Sequence, residues 1–377
     1  QSCIRDRGVI EAKRPEGNAK KVPTIDEGIT QSLRNQRHDE IPRLFVYSQL
    51  LLSINGHEGR YGTCETPAKF WAAWREEDVS DAQMHAIKNT ALSDAQLHGL
   101  FDHRPAGDLR SYLDLIAGGA LAVTGQDVLL MSLLTPSRLL DMVRYFTVFD
   151  SKFGKLVARY QQVFGIRRLI ERINTRRADG GREGGVVWHT TGSGKSLTMV
   201  FLSKTLILHD TLKACRILVV TDRVDLEKQL SNTFAATGEF TGRAEKQASL
   251  ANSGAKLAQM IGKGTERIIF SLIQKFNSAT KLPECFNDSA DLIVLVDEGH
   301  RSQGGENHTR MTLALPKAAF VAFTGTPLLK NDKTEGKFGK MIHAYTMQRA
   351  VEDGTVTPLL YEERIPDLDV NERAIDS

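Results

Sequence analysis

Four cysteines are all this chain has, at Cys3, Cys64, Cys215 and Cys285. They lie far apart, so no C-x-x-C pair exists for a metal, and thiols scattered this way read as reduced cysteines of a cytosolic protein. No apolar run approaches the roughly 20 residues of a membrane-spanning helix, and Gln1 to Arg7 hold no apolar stretch of a secretory signal. An excess of one charge is also missing, since 49 Lys and Arg stand against 46 Asp and Glu. That balance neither announces nor excludes nucleic acid, because a DNA tracker can confine its basic residues to one groove. The densest basic stretch is Arg159, Arg167, Arg168, Arg172, Arg176, Arg177 and Arg182, diluted by Glu171, Asp179 and Glu183. It reads most simply as a solvated helix face. Internal repeats and low-complexity tracts are absent. What remains is an ordinary globular composition, 41% hydrophobic and 25% charged. With 377 residues there is room for two or three domains.

The chain divides by texture into three parts. Residues 1–78 open with a strand-like run, Gly8-Val9-Ile10-Glu11, and close on Phe70, Trp71 and Trp74. Residues 79–150 look helical: Ser80 and Ser93 suit N-caps, and Leu130, Leu133, Leu134, Leu139, Leu140, Met142 and Val143 recur at helical spacing. This part carries no visible chemistry and reads as a connector. Residues 151–377 alternate helical patterns with continuous apolar runs: Val186–Trp188, Ile217–Val220, Ile268–Phe270, Leu292–Val296 and Phe320–Phe323. Such runs suit strands buried on both faces of a parallel sheet, so the expectation is an α/β, doubly wound domain.

The first of those runs leads into His189-Thr190-Thr191-Gly192-Ser193-Gly194-Lys195-Ser196. Glycines let backbone N–H groups turn inward around phosphate oxygens, and a helix starting at the loop's end adds its partial positive charge. Lys195 is then placed to reach the β- and γ-phosphates and Ser196 to hold Mg²⁺. The strict G-x-x-x-x-G-K-[ST] pattern fails at one position, where His189 replaces the first glycine. Further on, Asp297-Glu298-Gly299-His300 follows an apolar strand, which puts an acidic pair at the ligand crevice of an open α/β sheet. Asp297 suits Mg²⁺ coordination, and Glu298 suits polarising the attacking water. A second strand ends in Thr324-Gly325-Thr326-Pro327, a short polar loop placed to sense the nucleotide.

In this order the three segments resemble motifs I, II and III of superfamily 2 helicases and translocases. The resemblance extends to Thr221-Asp222-Arg223-Val224-Asp225-Leu226 and Gln274-Lys275-Phe276. It also extends to Arg159-Tyr160-Gln161-Gln162, similar to the Q-motif, with Gln162 preferred as the adenine reader. It implies a RecA-like motor domain with nucleotide contacts from Gln162, Thr191, Gly192, Ser193, Gly194, Lys195, Ser196, Asp297, His300, Thr324 and Thr326.

A finer match is to the motor subunit of type I restriction-modification enzymes, carried by Trp188 to Ser196 and by Asp297-Glu298-Gly299-His300-Arg301-Ser302-Gln303. That family commonly has a histidine where His189 stands. It also carries a PD-(D/E)xK-type nuclease ahead of the motor, and Ile10-Glu11-Ala12-Lys13-Arg14-Pro15 resembles its E-x-K element. Gln31 resembles the glutamine of the helix that follows. E-x-K alone is a weak pattern, since Glu335-Gly336-Lys337 repeats it; the apolar strand before Glu11 and Gln31 after it raise this instance above the other. The resemblance implies that Glu11 binds a catalytic metal and that Lys13 stabilises charge developing on the scissile phosphate. Two departures stand out. Only Asp6 precedes Glu11 as an acid, too close for the family's metal-binding aspartate, and Asn35 stands where a tyrosine is frequent.

The implied architecture is a partial PD-(D/E)xK-type α/β nuclease (1–78), a helical connector (79–150) and a first RecA-like motor domain (151–377), with no second RecA-like lobe after Ser377. The implied activity is ATP- and Mg²⁺-dependent translocation of double-stranded DNA followed by cleavage. A methyltransferase subunit and a specificity subunit would be the partners, no membrane is involved, and the location would be cytoplasmic. The alternative is a superfamily 2 repair helicase or translocase without nuclease activity.

Overall fold

The computed structural model describes residues 8–13, 24–238, 240, 242–297, 306–326 and 338–357. In the N-terminal part, β1 (Gly8–Ala12) and β2 (Leu50–Ile54) pair in parallel. Strand β3 (Gly59–Gly62) continues from β2 antiparallel. Helix α1 (Ile25–Asn35) lies between β1 and β2 in the chain. The Thr24 hydroxyl caps it by accepting from the Glu27 N–H, and Asp26 and Glu27 complement its positive end. Its Ile29 packs against Leu51, Phe45 and Trp71. Gly28 sets the approach to the sheet, because a Cβ there would come within 2.2 Å of Ser53 Oγ.

The expected helical stretch is a run of five helices among the described residues: α2 (Asp81–Lys88), α3 (Asp94–Phe101), α4 (Ala106–Ala117), α5 (Gly125–Leu133) and α6 (Pro136–Arg144). Ser80 and Ser93 both cap, each with the glutamine three residues on. The leucine-rich pattern from Leu130 to Val143 is two helices, because Pro136 can only open a helix. A hairpin follows, β4 (Thr147–Asp150) with β5 (Gly154–Val157), so the division drawn at residue 150 falls inside it.

Helix α7 (Tyr160–Asn174) leads into the main sheet. Its strands are β6 (Gly185–His189), β7 (Arg216–Thr221), β8 (Ile268–Leu272), β9 (Leu292–Asp297), β10 (Ala319–Thr324) and β11 (Met341–Tyr345). They lie in the order β11-β6-β10-β9-β7-β8, and every pair is parallel. All five apolar runs seen in the sequence are strands of this sheet. Between the strands run α8 (Lys195–Leu208), α9 (Val224–Ala236), α10 (Arg243–Ala248), α11 (Gly254–Lys263), the short α12 (Phe276–Ala279) and α13 (Glu306–Ala314), with α14 (Met347–Glu352) after β11. From β6 the chain passes to β7 over two places that β9 and β10 later fill. That jump creates the switch point at which open α/β sheets bind ligands.

One hydrophobic core joins the parts. Leu50, Leu52, Tyr61 and Trp74 from the N-terminal part, Leu129, Leu133 and Met142 from the helical stretch, and Phe164, Val187 and Phe201 beyond it form one contiguous cluster. Trp74 and Phe164 lie 5.6 Å apart between ring centroids, and Tyr61 donates its hydroxyl to the Ala158 carbonyl at 2.8 Å. The basic stretch is largely bound up in structure. Arg167 pairs with Asp78, Arg168 with Glu77, Arg172 with Glu183, and Arg182 with Asp291.

His189 closes β6 in full burial and packs against the edge strand β11. His343 Nε2 lies 3.2 Å from the Glu77 carboxylate, which can only accept, so this nitrogen carries a proton. In the neutral pair His343 Nδ1 then accepts from His189 Nε2 at 2.9 Å. Burial, and after it the neighbouring His343 and Lys195, hold the His189 imidazole well below its ordinary value of 6.5. The unfolded chain therefore takes up this proton first. Stability is full above about pH 6.5 and falls below it by up to about 1.4 kcal/mol per unit. His189→Gln keeps a donor for His343 and removes the titration. Urea unfolding between about pH 5 and 8 should show a shallower acid-side loss in the variant; equal slopes would rule His189 out as the source.

Candidate functional site

The loop after β6 is shaped by its own hydrogen bonds. Thr190 donates its N–H to the Tyr345 carbonyl at 3.0 Å, and Ser193 Oγ donates to the Thr190 carbonyl at 2.6 Å. Ser193 is thus buried as a shaping residue, while Thr191 and Gly192 face solvent. Gly192 and Gly194 have φ of 84° and 92°, a left-handed conformation that a side chain would strain. Gly194 is the N-cap of α8, so Lys195 and Ser196 are its first two residues, at the end where backbone N–H groups and the helix dipole attract an anion.

Sheet register brings the other motif residues to the same edge. Trp188 of β6 pairs with Thr324 of β10, and Phe323 of β10 pairs with Asp297 of β9. His189, Thr324 and Asp297 therefore end three adjacent strands, with Asp297 buried to 7% exposure and Thr324 fully buried. Thr324 Oγ1 accepts from the Thr326 N–H at 3.4 Å, which turns the chain at Gly325. A Cβ on Gly325 would meet Thr191 Oγ1 at 2.6 Å and Lys195 Nζ at 2.8 Å, closer than real Cβ atoms come. The loop after β10 thus rests directly on the phosphate-type loop. Glu298 and His300 lie outside the described residues, as do Arg301 to Gln303.

Gln162 reaches the loop from α7. Its Nε2 donates to the Gly194 carbonyl and to Thr198 Oγ1, each at 3.2 Å, and its Oε1 accepts from the Arg159 N–H at 2.9 Å. Beside it opens a cleft of about 320 Å³, lined by Gly192 to Gly194, Leu197, Arg159 and Gln162, and on the far side by Pro67, Phe70, Phe153 and Leu156. This cleft is apolar where Phe70 and Phe153 face it and is bounded at one end by the glycine loop. It suits a flat base joined to phosphates. At the ends of β7 and β8 the two further motif segments meet, as Gln274 Nε2 donates to the Asp222 carbonyl at 2.8 Å.

A second cluster lies on the N-terminal sheet. Lys13 Nζ donates to Glu11 Oε1 at 3.0 Å and also to Gln31 Oε1, so all three predicted residues meet in one part-buried group. Glu11 and Lys13 share a face of β1 through the period-2 alternation, and α1 brings Gln31 over it. Asp6, Arg14, Pro15, Glu335 and Lys337 lie outside the described residues. Among the described residues no three His, Cys, Asp or Glu side chains form a metal-type cluster.

The sequence did not reveal Asp353. It accepts from Arg75 Nε at 2.7 Å, Tyr160 OH at 2.6 Å and Tyr345 OH at 2.9 Å, while Arg159 donates to Thr355 Oγ1 at 2.7 Å. The turn after α14 thereby becomes a wall of the cleft. Except for Tyr345, eight positions away, the partners lie 193 or more positions apart and follow no motif spacing, so little in the local sequence points to them.

Comparison with known proteins identifies the family of the chain. The family model described as SWI2/SNF2 ATPase matches residues 161–377, and the type I restriction enzyme R protein N terminus model matches residues 8–70. A protein of Methanocaldococcus jannaschii that carries a type I restriction enzyme endonuclease subunit name, MjaIXP, is 29% identical over 98% of this chain and 33% of its own length. The HindI endonuclease subunit of Haemophilus influenzae is 32% identical over 86% of this chain and 29% of its own length. The chain thus spans about a third of the length of the curated relatives it matches. Among solved structures, the UvsW helicase of bacteriophage T4 is similar at 14% identity and a TM-score of 0.37, over 63% of this chain and 76% of that one. No helix among the described residues is long and apolar enough to cross a membrane. The family implies use of ATP, the type I restriction resemblance read from the sequence is borne out, and the chain belongs to the SWI2/SNF2 ATPase family.

Proposed function

We propose that this chain is the nuclease and first motor part of the restriction subunit of a type I restriction enzyme, divided as 1–78, 79–150 and 151–377. It would use ATP to move double-stranded DNA and then cut it. The observation that carries this reading is the pairing of two sites in one chain: Lys13 held between Glu11 and Gln31, and Lys195 held against Gly325 at a sheet switch point.

At the motor site, Thr191, Gly192 and Gly194 would wrap the phosphates, Lys195 would neutralise their outer charge, and Gln162 would fix the loop beside the base. The residues fit a magnesium nucleotide: Ser196 sits half-buried at the helix start and Asp297 stands two strands away at the same edge. Bound Mg²⁺ would supply charge compensation for the transferred phosphate. Glu298 would orient the attacking water, with His300 beside it, and Thr324 and Thr326 would report nucleotide state through Gly325. At the nuclease site Glu11 would hold a second metal ion, Lys13 would meet charge developing on the scissile phosphate, and Gln31 would keep Lys13 in place. Backbone contacts suit a motor that ignores sequence. Sequence choice would then belong to partner specificity and methyltransferase subunits in the cytoplasm.

Three outcomes test this. Lys195→Ala in the full-length protein should lower ATP turnover by on the order of 10²–10³-fold without unfolding it; turnover at the wild-type rate in a folded variant would remove the motif I assignment. Gly325→Ala pushes a methyl group into the Lys195 ammonium, and displacements of about 1 Å cost on the order of 10²-fold in rate. Its ATPase kcat should drop while its melting temperature stays close to wild type. Glu11→Ala or Lys13→Ala, in the full-length enzyme with its partner subunits, should stop DNA cleavage and leave ATP hydrolysis and translocation intact. Cleavage at an undiminished rate would favour a repair translocase without nuclease activity.

A further inference from the structure

The row that carries Glu11 does not end at β2. Glu11 pairs with Ser53, and Ser53 pairs with Arg60 of β3, so the three side chains lie on one face of the sheet. At about 4.8 Å per strand, Arg60 stands about 10 Å from Glu11. There it lines a separate cavity of about 190 Å³ between β3, the first turn of α7 and the turn at 353–355, together with Lys69, Arg159 and Gln161.

Three observations make this cavity a site. The Arg60 side chain has neither ion pair nor hydrogen bond among the described residues, and Lys69 rests only over the Phe70 ring at 4.9 Å. Gln161 is 1% exposed, and neither its Nε2 nor its Oε1 has a hydrogen-bond partner. An amide in that state destabilises the fold unless something polar fills the space. The one carboxylate on the wall, Asp353, is already paired with Arg75 and accepts from both tyrosine hydroxyls. The lining therefore presents cations and an amide donor, the chemistry that holds a phosphate oxygen.

We propose that this cavity binds a backbone phosphate of double-stranded DNA, at a place separated from Glu11 and Lys13 by α1, which covers the fully buried Ser53 between them. Arg60 and Lys69 grip the phosphate, and Gln161 Nε2 donates to its oxygen. Because Gln161 lies on α7, next to the Gln162 that holds the loop after β6, the bound phosphate is anchored on the motor's own helix. The site rests on the proposed DNA-motor reading for its ligand, and its binding can be measured without cleavage.

Nucleotide phosphates are the other source of the same chemistry, since Arg159 and Thr355 also line the nucleotide cleft. Fluorescence anisotropy of the full-length chain with a labelled duplex, titrated across salt concentrations, separates the two. Arg60→Ala with Lys69→Ala should weaken binding equally for unrelated sequences. It should also reduce the salt slope by about 1 for each side chain removed, and ATP affinity without DNA should hold. Gln161→Leu should lower DNA affinity further, and Gln161→Glu more than Gln161→Leu, because a carboxylate repels the phosphate. An unchanged salt slope in the folded double variant overturns the proposal. So does a loss of ATP affinity with DNA binding intact, which would assign the cavity to the nucleotide. Failure of the nuclease reading shows separately, as a Glu11→Ala enzyme that still cuts.

Discussion

Helix α7 has to satisfy two sheets at once, and the rest of the molecule is arranged around that requirement. Residues Tyr160 to Ile166 are all buried, and Leu169, Ile170 and Ile173 extend the buried surface along the helix. Phe164 meets Trp74 from the N-terminal part, while Gly165 lies over the His189 and His343 rings with the nearest atoms 3.5 Å from where its Cβ would stand. Burying a Phe-sized side chain is worth about 1.5–3 kcal/mol, against roughly 0–1 kcal/mol for an exposed ion pair such as Arg167–Asp78. The apolar contacts therefore set where α7 lies, and the arginines on its outer face follow.

That placement explains why the phosphate-type loop tolerates a histidine for its first glycine. The loop is not free at this point. His189 is held by His343, His343 by Glu77, and Glu77 by Arg168 of α7 itself. A glycine would leave this buried space empty, whereas the imidazole fills it and hands a hydrogen bond to the edge strand. The glycines that remain are those at positive φ, Gly192 and Gly194, a conformation that suits turning backbone N–H groups toward an anion.

Much of this was legible beforehand, for physical reasons. Strands buried on both faces must be apolar throughout, so the five runs from Val186 to Phe323 showed themselves as strands. Phosphate binding needs glycine, lysine and a helix start in sequence order, so the loop around Lys195 stood out together with the acidic and polar loops that follow, and the structure puts Lys195 at the start of α8. Lys13, Glu11 and Gln31 emerged through resemblance, and the structure adds the contact among them. Strand β11 escaped notice because Met341-Ile342-His343-Ala344-Tyr345 mixes a buried histidine into a short run at the sheet edge. The knot at Asp353 escaped for another reason: Arg75, Tyr160 and Tyr345 converge on it from three elements, and only the fold puts them together.

The distribution of positive charge then separates structure from function more sharply than the net charge does. The arginines that crowd the sequence between 159 and 182 are mostly paired with acids, so they hold elements together and have little left for a polyanion. Arg60 and Lys69 come from a stretch with no basic run at all; they stand beside an unsatisfied amide, and neither forms an ion pair among the described residues. A cation left unpaired at the edge of a crevice keeps its field, while one in an ion pair has lost most of it to its partner. These two cations left without an ion pair are thus ones that sequence density passes over. They lie beside the first turn of α7, the helix whose Gln162 also holds the loop after β6.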